Sequence, residues 1–214
     1  MAGAIALADA EGIDAVTIRR LAQDHGVTPM ALYWHFKDKG ELLDGIAERL
    51  FADVRLPTPS LGPWPQQLLA TLEAVLDALR PHPEVAGLVP RRAPSSEAGL
   101  TLAEHTLALL RHAGLSTDRA AEVAGYLLNA VAMLVTPEPG REHGPDSEAR
   151  DDAIRLKAAS LSGLPLRRYT NVVSSAGALA ACASPDAYYS LGLDMLLTGV
   201  TAIAEDDSPG EIEA

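Results

Sequence analysis

Apolar positions recur along most of the chain at intervals of three and four, while period-2 alternation of β-branched residues is essentially absent, so the pattern predicts helices and no sheet. Leu68, Leu69, Leu72, Val75, Leu76 and Leu79 fall on one helical face, and Gln66, Glu73 and Asp77 fall on the other, as in an amphipathic outer helix. The run from Thr117 to Val135 is apolar nearly all round, which predicts a central helix, and Asp186 to Ala204 is again broadly apolar. Gly12, Gly26, Pro57 to Pro65, Pro81 to Pro83, Pro90 to Pro94, Gly114, Pro137 to Pro145, Pro165 and Pro185 punctuate these runs into roughly nine helices. The fold class is therefore all-α.

The densest break, Leu56 to Pro65, separates a short N-terminal unit from a long C-terminal one. A second stretch, Pro137 to Arg150, mixes Pro, Gly, Glu, Asp and Arg without periodicity and reads as a mobile surface loop. Within the N-terminal unit, Thr17 can cap a helix from Ile18 to about His25, which Gly26 ends in a left-handed conformation, and Thr28 caps the next. Two helices joined by only Gly26, Val27 and Thr28 must cross steeply, which is the helix-turn-helix geometry that sets a second helix in a DNA major groove. Many αα corners share that spacing, so the composition of the second helix has to decide.

Three of the nine aromatics, Tyr33, Trp34 and Phe36, lie within four residues beside His35 and Lys37. Leu32 and Phe36 share one face and serve as core anchors, which turns Pro29, Met30, Tyr33, Trp34 and Lys37 outward. Packing on a neighbouring helix would account for the aromatic pair; a phosphate or a base edge is the other plausible partner, because basic residues flank it. The net charge of −12 argues against nucleic acid, since affinity for it comes from neutralising phosphates. Yet Arg19, Arg20, Lys37 and Lys39 fall in a window containing only two acidic residues, Asp24 and Asp38, a local positive spot on an acidic protein.

The stretch from Thr17 to Leu43, with Leu32, Tyr33, His35, Phe36 and Lys39 at its core, resembles the DNA-binding domain of the tetracycline-repressor (TetR) family of transcriptional regulators. The resemblance implies a three-helix helix-turn-helix domain over residues 1–45, with Thr28 to Phe36 as recognition helix, and a linking helix from about Lys39 to Arg55. A larger ligand-binding and dimerisation domain would occupy residues 46–214. Trp64, the His82-Pro83 turn, Arg111 to Ser116 and Gly192 to Gly199 look like a tetracycline-repressor type of C-terminal domain. By the same resemblance Thr17 and Arg19 touch the phosphate backbone or an adjacent base, Tyr33, His35 and Lys39 grip phosphates, and Thr28, Pro29, Met30, Ala31 and Trp34 face the groove. Pro29, Met30 and Ala31 offer no bidentate donor, so direct reading of bases is apolar, for example contact with a thymine methyl. The family usually has a basic arm ahead of its first helix, and Met1 here falls inside what should be that helix, so either the arm is missing or the true start lies upstream.

In the C-terminal part, Glu122, Tyr126, Asn129 and Met133 form the one polar stripe on an apolar helix. A buried Asn129 would need a partner, which a ligand, a symmetry mate or a neighbouring backbone can supply. Tyr126, Asn129 and Met133 together make an adaptable apolar wall with a polar handle, as expected of a small-molecule pocket. His105 and His112 fall on the polar side with Glu104 and Arg111 and are expected to be solvated. Tyr188, Gly192, Met195 and Gly199 share a stripe that suits a seam between two copies of the chain.

Other classes find little support in the sequence. It contains no H-E-x-x-H, G-x-S-x-G, Walker or G-x-G-x-x-G motif, its histidines are not at metal-ligand spacing, and Cys182 has no adjacent His, so neither an enzyme nor a metal or other cofactor is expected. A lone Cys182 closes no intrachain disulfide, and no basic stretch precedes an apolar run at the N-terminus, so the expected compartment is the cytoplasm. The apolar stretch around Ala130 to Val135 stops at Pro137, short of the roughly 20 residues of a membrane span, so no membrane partner is expected. The reading is a ligand-responsive regulator, most simply a repressor, whose homodimer binds a palindromic operator in double-stranded DNA and is released by a small, largely apolar effector. The alternative is a helical small-molecule- or partner-binding protein whose DNA binding is weakened or lost, motivated by the acidic total and the absent arm.

Overall fold

A computed structural model describes residues 1–58, 62–136, 147–181 and 184–207. Among the described residues there is no strand. The helices are α1 (Ala2–Glu11), α2 (Ile18–Asp24), α3 (Pro29–Tyr33), α4 (Lys39–Ala52), α5 (Trp64–Leu79), α6 (Pro83–Ala86), α7 (Val89–Arg92), α8 (Glu97–His112), α9 (Thr117–Val135), α10 (Ser147–Ser162), α11 (Thr170–Ser174), α12 (Ala176–Ala180) and α13 (Pro185–Asp207). Short 3-10 turns at Ile13–Ala15 and Ala93–Ser95 join some of them.

That is more helices than the punctuation suggested, because prolines expected to break the chain instead start short helices. Pro83 and Pro90 stand in the first turns of α6 and α7, where the missing N–H costs nothing. The expected loop from Pro137 to Arg150 is corrected at its end, since α10 begins at Ser147; residues 137–146 and Cys182 lie outside the described residues. The linking helix also stops at Ala52 rather than Arg55.

The chain forms two compact units, Met1–Thr136 with Leu193–Ala214, and Pro137–Gly192. In the first, Ala4, Ile5, Leu7, Ala8, Val16, Ile18, Leu21, Ala22, Leu42, Leu43 and Ile46 are buried and close a small N-terminal core. A larger core lies between α5, α8 and α9, built on Leu68, Leu72, Val75, Leu76, Leu102, Leu110, Leu127 and Val131. The face of α4 that carries Leu50 and Phe51 is buried too, and α4 packs on α5, α7 and α8. In the second unit α10, α11 and α12 pack on one another, with Ala176 and Ala180 buried and Leu156 and Leu179 exposed.

The expectation of a central α9 is corrected. Ala120, Val123, Leu127, Val131, Ala132 and Val135 face the core, but Glu122, Tyr126, Asn129 and Met133 stand exposed on the opposite side. An apolar composition shows that a face needs cover and does not say which neighbour supplies it. Similarly, α13 is long and apolar enough by composition to cross a membrane, with a mean hydropathy of 1.2 in its most apolar window, which the sequence reading missed. Asp194 stands exposed near its middle, which suits a helix packed against protein better than one in hydrocarbon.

Candidate nucleic-acid interface and apolar cavity

Three N-caps set the N-terminal surface. The Thr17 hydroxyl accepts from Arg20 N at 3.2 Å, Thr28 from Ala31 N at 3.3 Å, and the Asp38 carboxylate from Glu41 N at 2.9 Å, so each new helix starts at a defined angle. Gly26 turns the chain between the first two at φ +65°, a conformation that a residue with a Cβ rarely adopts. Regular helix ends at Tyr33, earlier than expected; His35 N and Phe36 N both donate to Leu32 O at 2.9 Å, so one tightened turn carries the chain on to Phe36.

Leu32 and Phe36 are half-buried, and Thr28, Pro29, Met30, Ala31, Tyr33, Trp34, His35 and Lys37 are exposed. Trp34, 86% exposed, is the most uncovered large apolar side chain on this surface. The positive spot is smaller than the sequence suggested. Arg20 is captured by Glu11, at 2.6 and 2.9 Å, and by Asp24, at 3.0 and 3.2 Å. Hydrogen bonding to Glu11 first, then to Asp24, raises its pKa above the ordinary arginine value, and its charge is spent inside the protein. Lys37 stands 4.0 Å from Glu41, and Lys39 Nζ donates to Ile13 O at 3.5 Å. Arg19 is exposed and forms no ion pair among the described residues.

Five polar contacts tie this surface to the rest of the unit, and none was visible in the sequence. Arg92 donates to Gly40 O at 3.1 Å and is ion-paired with Asp44. Ser96 Oγ donates to Glu48 Oε2 at 2.5 Å, and Ala98 N donates to the same oxygen at 3.4 Å. On the other side, Asp9 Oδ2 lies 2.7 Å from His82 Nδ1. Gly99 completes the seam, since a Cβ there would stand 2.6 Å from Ala93 O and 3.1 Å from Phe51 Cε2.

Between α5, α8 and α9 lies a cavity of about 240 Å³, whose lining includes Pro90, Ala93, Pro94 and Gly99. Its lining is apolar except for Thr71, Thr106 and Asn129. Asn129 is exposed rather than buried, and its Nδ2 donates to Gly125 O at 2.8 Å. His105 is half-buried with Nε2 3.1 Å from Thr71 Oγ1, which corrects the expectation that it is solvated; His112 is exposed as expected. Of the three residues expected to line a pocket together, only Asn129 borders this cavity. Tyr126 instead joins Met195 and Gly199 around an open depression of about 520 Å³ between α9 and α13, and Met133 borders neither space. Gly192 and Tyr188 are half-buried on the part of α13 that belongs to the second unit.

Residues 1–46 match the family model for bacterial regulatory proteins of the tetR family, and residues 56–204 match the tetracyclin repressor-like C-terminal domain. The chain belongs to the TetR family. It is a ligand-responsive transcriptional regulator, of a family whose members bind DNA through a helix-turn-helix and act as regulators rather than enzymes. Tetracycline repressor protein class C of Escherichia coli is 30% identical over 206 residues, covering 92% of this chain and 86% of that protein. The TetR family protein ActR of Streptomyces coelicolor, solved in complex with actinorhodin, is 28% identical, with a TM-score of 0.80 over 95% of each chain. BioQ, solved with its double-stranded DNA operator, is 26% identical, with a TM-score of 0.62 over 94% of each chain.

Proposed function

We propose that this regulator is a repressor that binds a palindromic operator as a homodimer in the cytoplasm and is released when a small, largely apolar effector fills the cavity between α5, α8 and α9. In this reading residues 1–45 read DNA and residues 46–214 dimerise and bind the effector. Arg19, Tyr33, His35 and Lys39 hold phosphates, with Thr17 beside them, and Thr28, Pro29, Met30, Ala31 and Trp34 face the major groove. The exposure of this whole set, from the first turn of α2 through α3 to the first residue of α4, supports the assignment, as does the operator-bound state of BioQ.

The observation that carries the reading is the continuity from cavity to DNA surface. Ala93 and Gly99 line the cavity, Arg92 and Ser96 near them hold Asp44 and Glu48 of α4, and Asp38, which caps α4, lies two residues past the recognition segment. An effector that displaces the segment 90–99 displaces α4, and with it the recognition helix. Operator half-sites lie about 34 to 36 Å apart, so a shift of a few ångströms in each subunit is enough to spoil the match. The effector moves the equilibrium only by its differential affinity for the two states, with a coupling of about 1 to 3 kcal/mol as the usual scale.

One observation favours the alternative of a binding protein with weakened DNA contact: the capture of Arg20, which removes a cation from a surface on a chain of net charge −12. Selection of duplexes from a random pool, followed by affinity measurements between about 50 and 200 mM salt, separates the two. The repressor reading expects an inverted repeat to emerge and its affinity to fall steeply with salt. A pool that returns no enriched motif supports the alternative.

A further inference from the structure

None of the side chains lining the 240 Å³ cavity is a carboxylate, amine, guanidinium or imidazole. Its two buried polar side chains, Thr71 and Thr106, are 1% and 7% exposed. Thr71 Oγ1 lies 2.8 Å from Gln67 O and Thr106 Oγ1 lies 2.9 Å from Leu102 O. A carbonyl has no proton to give, so both hydroxyls donate, and each threonine's single proton is committed to its own helix. With that proton used, the 3.1 Å contact between Thr71 and His105 Nε2 is one in which the imidazole donates. Only acceptor lone pairs then remain on the two threonines, one on Thr71 and two on Thr106. Asn129, at the exposed rim, keeps one amide proton that water can also serve.

From this arrangement we infer that the cavity selects uncharged, largely apolar molecules carrying a hydroxyl group that donates to Thr106, and discriminates against carboxylates and against analogues in which the hydroxyl is masked. A carboxylate would leave water and find no donor among the buried lining groups, which is the costly case for an anion. An ether would set its lone pairs against those of threonine, leaving acceptors facing acceptors. A hydroxyl placed against Thr106 satisfies both partners, and the aliphatic walls built by Leu72, Val75, Leu102 and Val131 take the remainder. The inference rests on the reading that this cavity is the effector site.

The test uses the full chain and three bicyclic probes of similar shape: 2-naphthol, 2-methoxynaphthalene and 2-naphthoate, titrated calorimetrically. The expected result is at least about tenfold tighter binding of 2-naphthol than of either other probe, with Thr106→Val reducing that preference to about threefold or less. Equal or tighter binding of the ether or the carboxylate, no binding of 2-naphthol up to about 1 mM, or an undiminished preference in Thr106→Val overturns the inference. The ranking of probes on the wild-type chain stands whether or not the variant folds. If 2-naphthol binds with the expected preference and leaves operator affinity unchanged at saturation, the hydroxyl selectivity holds and the assignment of the cavity as the effector site fails.

Discussion

Asp44 and Arg92, 48 residues apart in the sequence, form an ion pair that joins the helix leaving the DNA-reading surface to the residue just before Ala93, part of the cavity wall. The pair is partly exposed, so its contribution to stability is modest, and its position matters more than its strength. We expect Arg92→Leu to lower stability by about 1 kcal/mol or less. The effect of an effector on operator affinity should shrink by a larger factor, because α4 loses a tether to the segment that moves. A double-mutant cycle with Asp44→Asn should show coupling of about 0.5 kcal/mol or more. Unaltered induction in Arg92→Leu would remove this pair from the route between the sites.

Gly99 makes the same route testable by packing. A methyl group there would stand 2.6 Å from Ala93 O and 2.9 Å from Ala93 Cα, both backbone atoms, and cannot be accommodated by rotating a side chain. Gly99→Ala should therefore destabilise the protein by about 1 to 3 kcal/mol, as overpacking of a filled site does, and should push segment 93–99 away from Phe51. Urea denaturation reads the first effect. The second should appear as weakened operator binding without any effector present.

Arg19 and Arg20, adjacent in the sequence, should behave oppositely toward DNA. Arg20 is held by Glu11 and Asp24, whereas Arg19 is exposed and unpaired among the described residues. Arg19→Ala should weaken binding to selected and random duplexes alike and reduce the salt slope by about 0.9 per subunit, as should Lys39→Ala. Arg20→Ala should leave that slope unchanged and lower the melting temperature, because Glu11 and Asp24 lose their shared partner. Equal salt slopes in the two arginine variants would refute the distinction.

These contrasts mark where the sequence was legible. Thr17, Gly26 and Thr28 act on residues three or four positions away, so the turn between α2 and α3 could be read from local chemistry alone. The Arg20–Asp24 pair was also within reach, at i,i+4 on one helix face, but the count of cations hid it. Asp9 and His82 are 73 residues apart, and no spacing rule reaches that far. For Asn129 the error lay in treating an apolar helix as one buried all round, when this chain covers only one face of α9 and leaves the other exposed.

That uncovered face carries the last prediction. Tyr126 is 71% exposed and lines a largely apolar depression together with Met195 and Gly199, two of the residues expected at a subunit seam, and with Leu196. Glycine at 199 lets a helix approach closely, and Tyr126 offers the patch a large rigid side chain, the kind of residue that dominates interface energies. A homodimer that uses α9 and α13 should bury on the order of 2,000 Å² in total. The wild-type chain should therefore sediment as a dimer at concentrations of about 1 μM, and Tyr126→Glu should weaken dimerisation by about 100-fold or more, because it would bury a second carboxylate one turn from Glu122, which already takes the nearby Arg119. Since Tyr126 contributes little to the fold of its own chain, the variant should keep its helical circular dichroism. It should lose operator affinity, because a monomer presents one recognition helix instead of two. A wild-type monomer at that concentration, or a Tyr126→Glu variant that remains fully dimeric, would show that the seam lies elsewhere.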